Sequence, residues 1–142
     1  MKRFRLGDET GSTSIELVIL TPVIVMLIGL GLFAGRTATT RQDVISASRD
    51  AARAASVRQF PAPAESDAAT AAQTTLSGRN VSCETLTVAV DTSGLQPGGT
   101  VTATVSCVVA LNDVTGLLGL PGSVTITETS TAVVDAFRGG QP

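Results

Sequence analysis

The chain has 142 residues, a formal net charge of -2, no His, Trp or Tyr, four Phe and two Cys. That length fits one small domain with a further element attached, and the thin scatter of basic residues leaves no footprint for nucleic acid. No nucleophile stands beside a base, no glycine-rich phosphate loop follows a strand, and two cysteines without His make no zinc site. No catalytic residue, cofactor, metal or small-molecule substrate is therefore expected.

Lys2, Arg3 and Arg5 open the chain, followed by Asp8 and Glu9. Residues 17–35, LVILTPVIVMLIGLGLFAG, then run for nineteen positions without a charge between Glu16 and Arg36. At about 1.5 Å per residue a helix of that length covers roughly 28 Å, close to the roughly 30 Å hydrocarbon core of a bilayer. A membrane-spanning helix is expected. An ordinary secretory signal has a shorter apolar core and small residues before its cut, which the exit Phe33-Ala34-Gly35-Arg36 matches poorly. Two other readings are open: a signal anchor that stays whole, or a leader cut on the cytoplasmic side just before the apolar run. The basic start favours a cytoplasmic N-terminus, whereas Arg36, Arg41, Arg49 and Arg53 count the other way. We side with the start, because those arginines alternate with Asp43 and Asp50 on one helix and the two cysteines suit an oxidising space.

The stretch Gly11-Ser12-Thr13-Ser14-Ile15-Glu16-Leu17, with Pro22 six residues past the glutamate, resembles the start of TadE-like proteins, the pseudopilins of tight-adherence (Flp-type) pilus systems. Type IV pilins and pseudopilins in general share its logic. The segment SRDAARAAS at residues 48–56 and the closing Val134-Asp135-Ala136-Phe137-Arg138 extend the likeness. The resemblance implies a bacterial structural subunit whose partners are the membrane, a prepilin peptidase, other pilin or pseudopilin subunits and the tight-adherence machinery. It implies cleavage between Gly11 and Ser12, which makes Ser12 the new N-terminus with Glu16 four residues further on. The expected division is a leader at 1–11, a transmembrane helix at 12–35, its extracytoplasmic continuation at 36–60 and a small α+β domain at 61–142.

Glu16 has a physical rationale without the family. A carboxylate at the head of a membrane helix is costly to bury unless paired or protonated, and the freed ammonium of Ser12 on a neighbouring subunit is an available partner. Thr13-x-x-Glu16 is also a capping-box pattern, and acids are favoured in a first helical turn by the helix dipole, so one residue can serve either role or both. Pro22 removes an amide donor and crowds the Val18 carbonyl, so a kink is expected there. Gly31 and Gly35 make a GxxxG spacing that lets another helix approach closely.

The helical pattern continues past Arg36, giving one helix over about residues 13–57 with a small-residue stripe of Val44, Ile45, Ala51, Ala52 and Ala55. Arg41, Asp43, Arg49, Asp50 and Arg53 read most simply as a solvated face. Phe60-Pro61-Ala62-Pro63 ends that helix. Ser66 is then expected to cap a short helix over 67–76, with Gly78 as its stop. Beyond Gly78, Leu86, Val88 and Val90 alternate with polar or small residues, as do Val101, Ala103 and Val105, which reads as two half-buried strands joined by turn material at 91–99. A third strand runs over about 124–135. The expected fold class is α+β: a long N-terminal helix packed on a small antiparallel sheet of about three strands, pilin-like in layout.

A hairpin brings Cys83 and Cys107 near each other, so a disulfide is expected, closing a loop of roughly 25 residues at a gain of about 3 kcal/mol. Strict alternation puts the two cysteines on opposite faces, and either a bulge or a Cys83 outside the strand must repair this. Leu117, Leu118 and Leu120 in the apolar run 114–122 either finish the core or form a patch for a neighbouring subunit.

Overall fold

The computed structural model describes residues 10–110 and 122–137. The leucines of the 114–122 run lie outside the described residues. The chain divides into two compact units, Met1–Thr37 and Ala38–Pro142. Both draw on α1 (Thr10–Ser56), a single helix that holds the apolar run in its first part and the small-residue stripe in its second.

Among the described residues, nothing covers the helix in the first unit. Its large apolar side chains from Ile15 to Leu32 point in every direction around the axis and are 47% to 72% exposed. A helix that is apolar on all sides needs an apolar medium around it, and none of this one's apolar window is buried within the chain.

In the second unit, α1 from Ala38 onward packs with α2 (Pro61–Gly78) on one face of an antiparallel sheet of β1 (Thr85–Asp91), β2 (Thr100–Ala110) and β3 (Ser123–Val133), in the order β1-β2-β3. The α+β layout read from the sequence is the one observed. Side chains alternate across the sheet, and β2 at its centre buries Val101, Ala103, Val105 and Cys107 completely. Val44, Ala47, Ala51, Ala52 and Ala55 of α1 and Ala64, Ala68, Ala72 and Leu76 of α2 close over that face. The α2 positions recur every four residues, one stripe along a helix, and all but the last are alanine. With methyl groups at the contact the backbones come close together, and each methyl has no slack beside it.

Two boundaries differ from the sequence reading. Pro61 does not merely end α1; it occupies the first turn of α2, where its missing N–H costs nothing and its fixed φ suits the helix, with Phe60 as the N-cap residue. Ser66 therefore lies inside α2 and bonds the Pro63 carbonyl. Nor is Gly78 the stop. Asn80 takes the left-handed conformation (φ 57°), donating its N–H to the Ser77 carbonyl while Val81 donates to Leu76. This double bond closes the helix end, and Asn is the non-glycine residue that most readily adopts that conformation.

The 92–99 connection is held tightly. A Cβ on Gly94 would run into the Thr100 carbonyl, and Gly98 sits at φ +77°. Hydrogen bonds from the Ser93 hydroxyl and, second, from its backbone N–H to Asp91 Oδ1 at 3.0 Å hold the exposed Asp91 carboxyl below its ordinary value. A depressed folded value means that this contribution to stability is present above the ordinary carboxylate pKa and is lost as pH falls through the lowered one. An NMR titration should place the Asp91 midpoint lower in the native chain than in Ser93→Ala; equal midpoints would remove the Ser93 hydroxyl as a cause.

The alanine packing makes a sharper prediction. Ala68→Leu should destabilise the unit by about 1–3 kcal/mol by overpacking, while Ala69→Leu on the exposed side of the same helix stays within about 0.5 kcal/mol. Chemical denaturation of the full chain in detergent measures both, and equal effects would contradict close packing at Ala68.

Candidate functional site

The sequence-predicted positions fall into two groups that the fold keeps apart in chain and in kind. Gly11, Ser12, Glu16, Pro22, Gly31 and Gly35 all lie along α1 within the first unit. Cys83 and Cys107 lie in the second.

Gly11 and Ser12 fall in the first turn of α1, which already begins at Thr10. Glu16 consequently sits in the second turn, so the capping-box reading loses the first-turn position that it needs. Glu16 is exposed and is surrounded along the helix by Ile15, Leu17, Ile19 and Leu20. This carboxylate opens an apolar surface and makes no ion pair among the described residues.

The helix continues through Pro22. Pro22 offers no N–H to the Val18 carbonyl, and one residue earlier the Thr21 hydroxyl donates to the Leu17 carbonyl at 2.6 Å. Thr37 makes the same four-back bond to Phe33 at 2.9 Å. These bonds satisfy hydroxyl groups internally on a surface otherwise made of hydrocarbon. A Cβ added at Gly29, Gly31 or Gly35 would meet nothing within 4 Å. At these positions the helix surface is shallow, with room for a Cβ among the described residues.

The second unit is locked by polar contacts that sequence patterning could not assign. Arg58 pairs with Asp67, the Thr75 hydroxyl donates to Asp50 at 2.8 Å, and Arg79 pairs with Asp43 at 3.0 Å. Residue numbers fall along α1 as they rise along α2, so the two helices run antiparallel with this row of contacts beside their alanine seam. Arg41 bonds Glu128 on β3 at 2.6 Å, and the buried Ser48 hydroxyl meets that of Ser130 at 2.7 Å. Arg41, Asp43 and Asp50 are thus not a freely solvated face. They join α1 to its neighbours, whereas Arg49 and Arg53 are exposed and make no ion pair among the described residues. Pairs this exposed contribute roughly 0–1 kcal/mol each, so their effect is mainly on register.

The Cys83–Cys107 disulfide is present, with Cα atoms 5.4 Å apart. Cys83 lies before β1, and the chain bends at Glu84, whose N–H bonds the Val108 carbonyl at 2.7 Å. That bend carries Cys83 onto the inner face occupied by Cys107, so the face mismatch is resolved by Cys83 standing outside the strand.

Compared with known proteins, α1 is the part that carries kinship. Residues 11–53 match the family model described as TadE-like protein. The TadE-like match takes in Gly11, Ser12, Glu16, Pro22, Gly31 and Gly35, and it ends three residues before α1 does. That family is one of structural pilus components, and the match lies wholly within α1. The disulfide, α2, the sheet and the closing segment at 134–138 lie outside the matched residues. No curated protein and no solved structure matches the chain.

Because the core of the second unit is built mostly from methyl-sized side chains, the disulfide should matter more than in a larger core. Replacing both cysteines by Ala should lower unfolding stability by about 3 kcal/mol. Denaturation midpoints of the oxidised chain and the double variant test this, and coincident midpoints would show that the crosslink is dispensable.

Proposed function

We propose that this chain is a minor pilin or pseudopilin of a tight-adherence (Flp-type) pilus or related secretion filament. A prepilin peptidase cuts it between Gly11 and Ser12 and leaves α1 in the membrane until assembly. The observation that carries the reading is the coincidence of the TadE-like match with one helix whose apolar surface, among the described residues, is left exposed on all sides.

The chemistry follows from that surface. Before assembly, lipid covers residues 17–35. In a filament, neighbouring helices take the place of lipid, and the loss of hydrocarbon contact on one side is matched by gain on the other. Apolar contact of this kind is nearly indifferent to axial position, so something polar must fix the stagger between subunits. Glu16 is the charged group at the mouth of the run. Cleavage creates an ammonium at Ser12, and a Ser12 ammonium on one subunit paired with a Glu16 carboxylate on the next sets the stagger while removing the cost of an unpaired charge in a low-dielectric environment. Pro22 relaxes the helix below the packed region, and Gly31 with Gly35 admits a neighbouring helix. In this reading the N-terminus is cytoplasmic and the Ala38–Pro142 unit is extracytoplasmic, where an oxidising space suits the Cys83–Cys107 bond.

A single-pass protein that is never cut shares the apolar helix but gives Gly11 and Glu16 no task. Intact-mass analysis and N-terminal sequencing from native membranes separate the two. The expected product begins at Ser12, and Gly11→Ala should leave the leader attached. Glu16→Gln should still be cut yet fail to enter filaments. A native product that retains residues 1–11, together with normal assembly of Glu16→Gln, would refute the proposal.

A further inference from the structure

β3 ends the sheet on the α1 side, and it pairs only with β2 among the described residues. Val134 donates its N–H to the Gly99 carbonyl at 2.9 Å and accepts from Gly98 at 3.1 Å, both on the β2 side. Peptide groups of successive strand residues turn to alternate edges, so those of Val133, Thr131 and Thr129 face outward. Among the described residues this edge carries as its guard Glu128 on the helix-covered face, engaged by Arg41 and five residues before the last of the strand, Val133. Its outward positions carry Thr and Val, with no Lys or Pro to blunt it, and its eleven residues exceed the seven of β1, which ends in Asp91.

Beside the last residues of this edge lies an open groove of about 530 Å³, walled by Thr131 and Val133 on one side and by Arg49 and Arg53 of α1 on the other. Asp50 also lines it, engaged by the Thr75 hydroxyl toward α2. Arg49 and Arg53 have no ion pair among the described residues, in contrast to Arg41, Arg58 and Arg79. Four helical residues advance about 6 Å along α1, and two residues of an extended strand advance about 6.6 Å. Side chains that an added strand turned to the helix-covered face would thus meet the two guanidiniums in step.

We propose that this groove is a docking site for an extended segment of a partner protein. The segment adds a strand to β3 and presents carboxylates at alternate residues to Arg49 and Arg53. Main-chain hydrogen bonds to Thr131 and Val133 supply the grip, and the guanidinium pair selects acidic segments and fixes their register. The site lies wholly within the Ala38–Pro142 unit, so it stands or falls independently of cleavage at Gly11.

The test uses the full chain in zwitterionic nanodiscs and the blocked peptide Thr-Glu-Val-Glu-Val-Thr, with its Gln-for-Glu counterpart as control. Hydrogen exchange should show the acidic peptide protecting amides at 129–133, with binding that weakens as salt rises and falls about tenfold in the double variant Arg49→Ala, Arg53→Ala. Val133→Pro, which removes one outward N–H at an edge where proline is tolerated, should abolish protection without unfolding the domain. Equal binding of the Gln peptide, or binding unchanged in these variants, would overturn the proposal. So would protection of 129–133 that rises with protein concentration in the absence of peptide, which assigns the edge to a second copy. Displacement of the peptide by anionic phosphatidylglycerol nanodiscs without protection at 129–133 would assign the arginines to lipid and overturn it equally.

Discussion

Methyl groups set the spacing on which the second unit depends. Ala47, Ala51, Ala52 and Ala55 on α1 and Ala64, Ala68 and Ala72 on α2 are completely buried, and the sheet beneath them contributes Val101, Ala103 and Val105. Such side chains bury little area each, so the free energy per contact is small, but they let the two helices and the sheet approach closely and exclude water between them. The geometry is consequently intolerant. A larger residue on either helix pushes the other off the sheet, and a change in the sheet displaces both. What this core lacks in apolar area the Cys83–Cys107 crosslink offsets by restricting the unfolded chain.

The same economy explains why polar contacts ring the seam. Alanine stripes have few features to fix how far one helix slides along the other. Arg58 with Asp67, Thr75 with Asp50 and Arg79 with Asp43 give the antiparallel pair a register that the methyl groups alone would not supply. The Ser48–Ser130 hydroxyl pair does this between α1 and β3, and it satisfies the buried Ser48 hydroxyl.

α1 carries two surfaces on one helix, and each names a different solvent. From Ile15 to Leu32 the side chains are long and apolar on all sides; from Val44 to Ala55 they are small on one side and charged on the other. The first surface calls for hydrocarbon or other helices, the second for a sheet and water. The TadE-like match coincides with this composite helix and leaves the rest of the fold unmatched.

Everything with a period was legible in the residues. The charge-free run, the small-residue stripe on α1, the alternation of Val101, Ala103 and Val105 and the family resemblance around Gly11 and Glu16 can be read because local spacing fixes which side chains share a face. The bond between Cys83 and Cys107 was foreseeable as an alternative with an obstacle, and only the bend at Glu84 removed it. The helix limits at Pro61 and Asn80 were misread because each residue's role depends on the backbone conformation its neighbours impose, not on its type. Least legible were the tasks of the charges. Arg41, Asp43, Arg49, Asp50 and Arg53 look alike along one helix, yet the first two and Asp50 are tied to other elements while Arg49 and Arg53 open onto the β3 edge. Sequence sets the face a residue occupies; only the crossing of α1 over the sheet and against α2 decides what stands opposite, because those partners are distant in the chain and brought together by the packing of the whole unit.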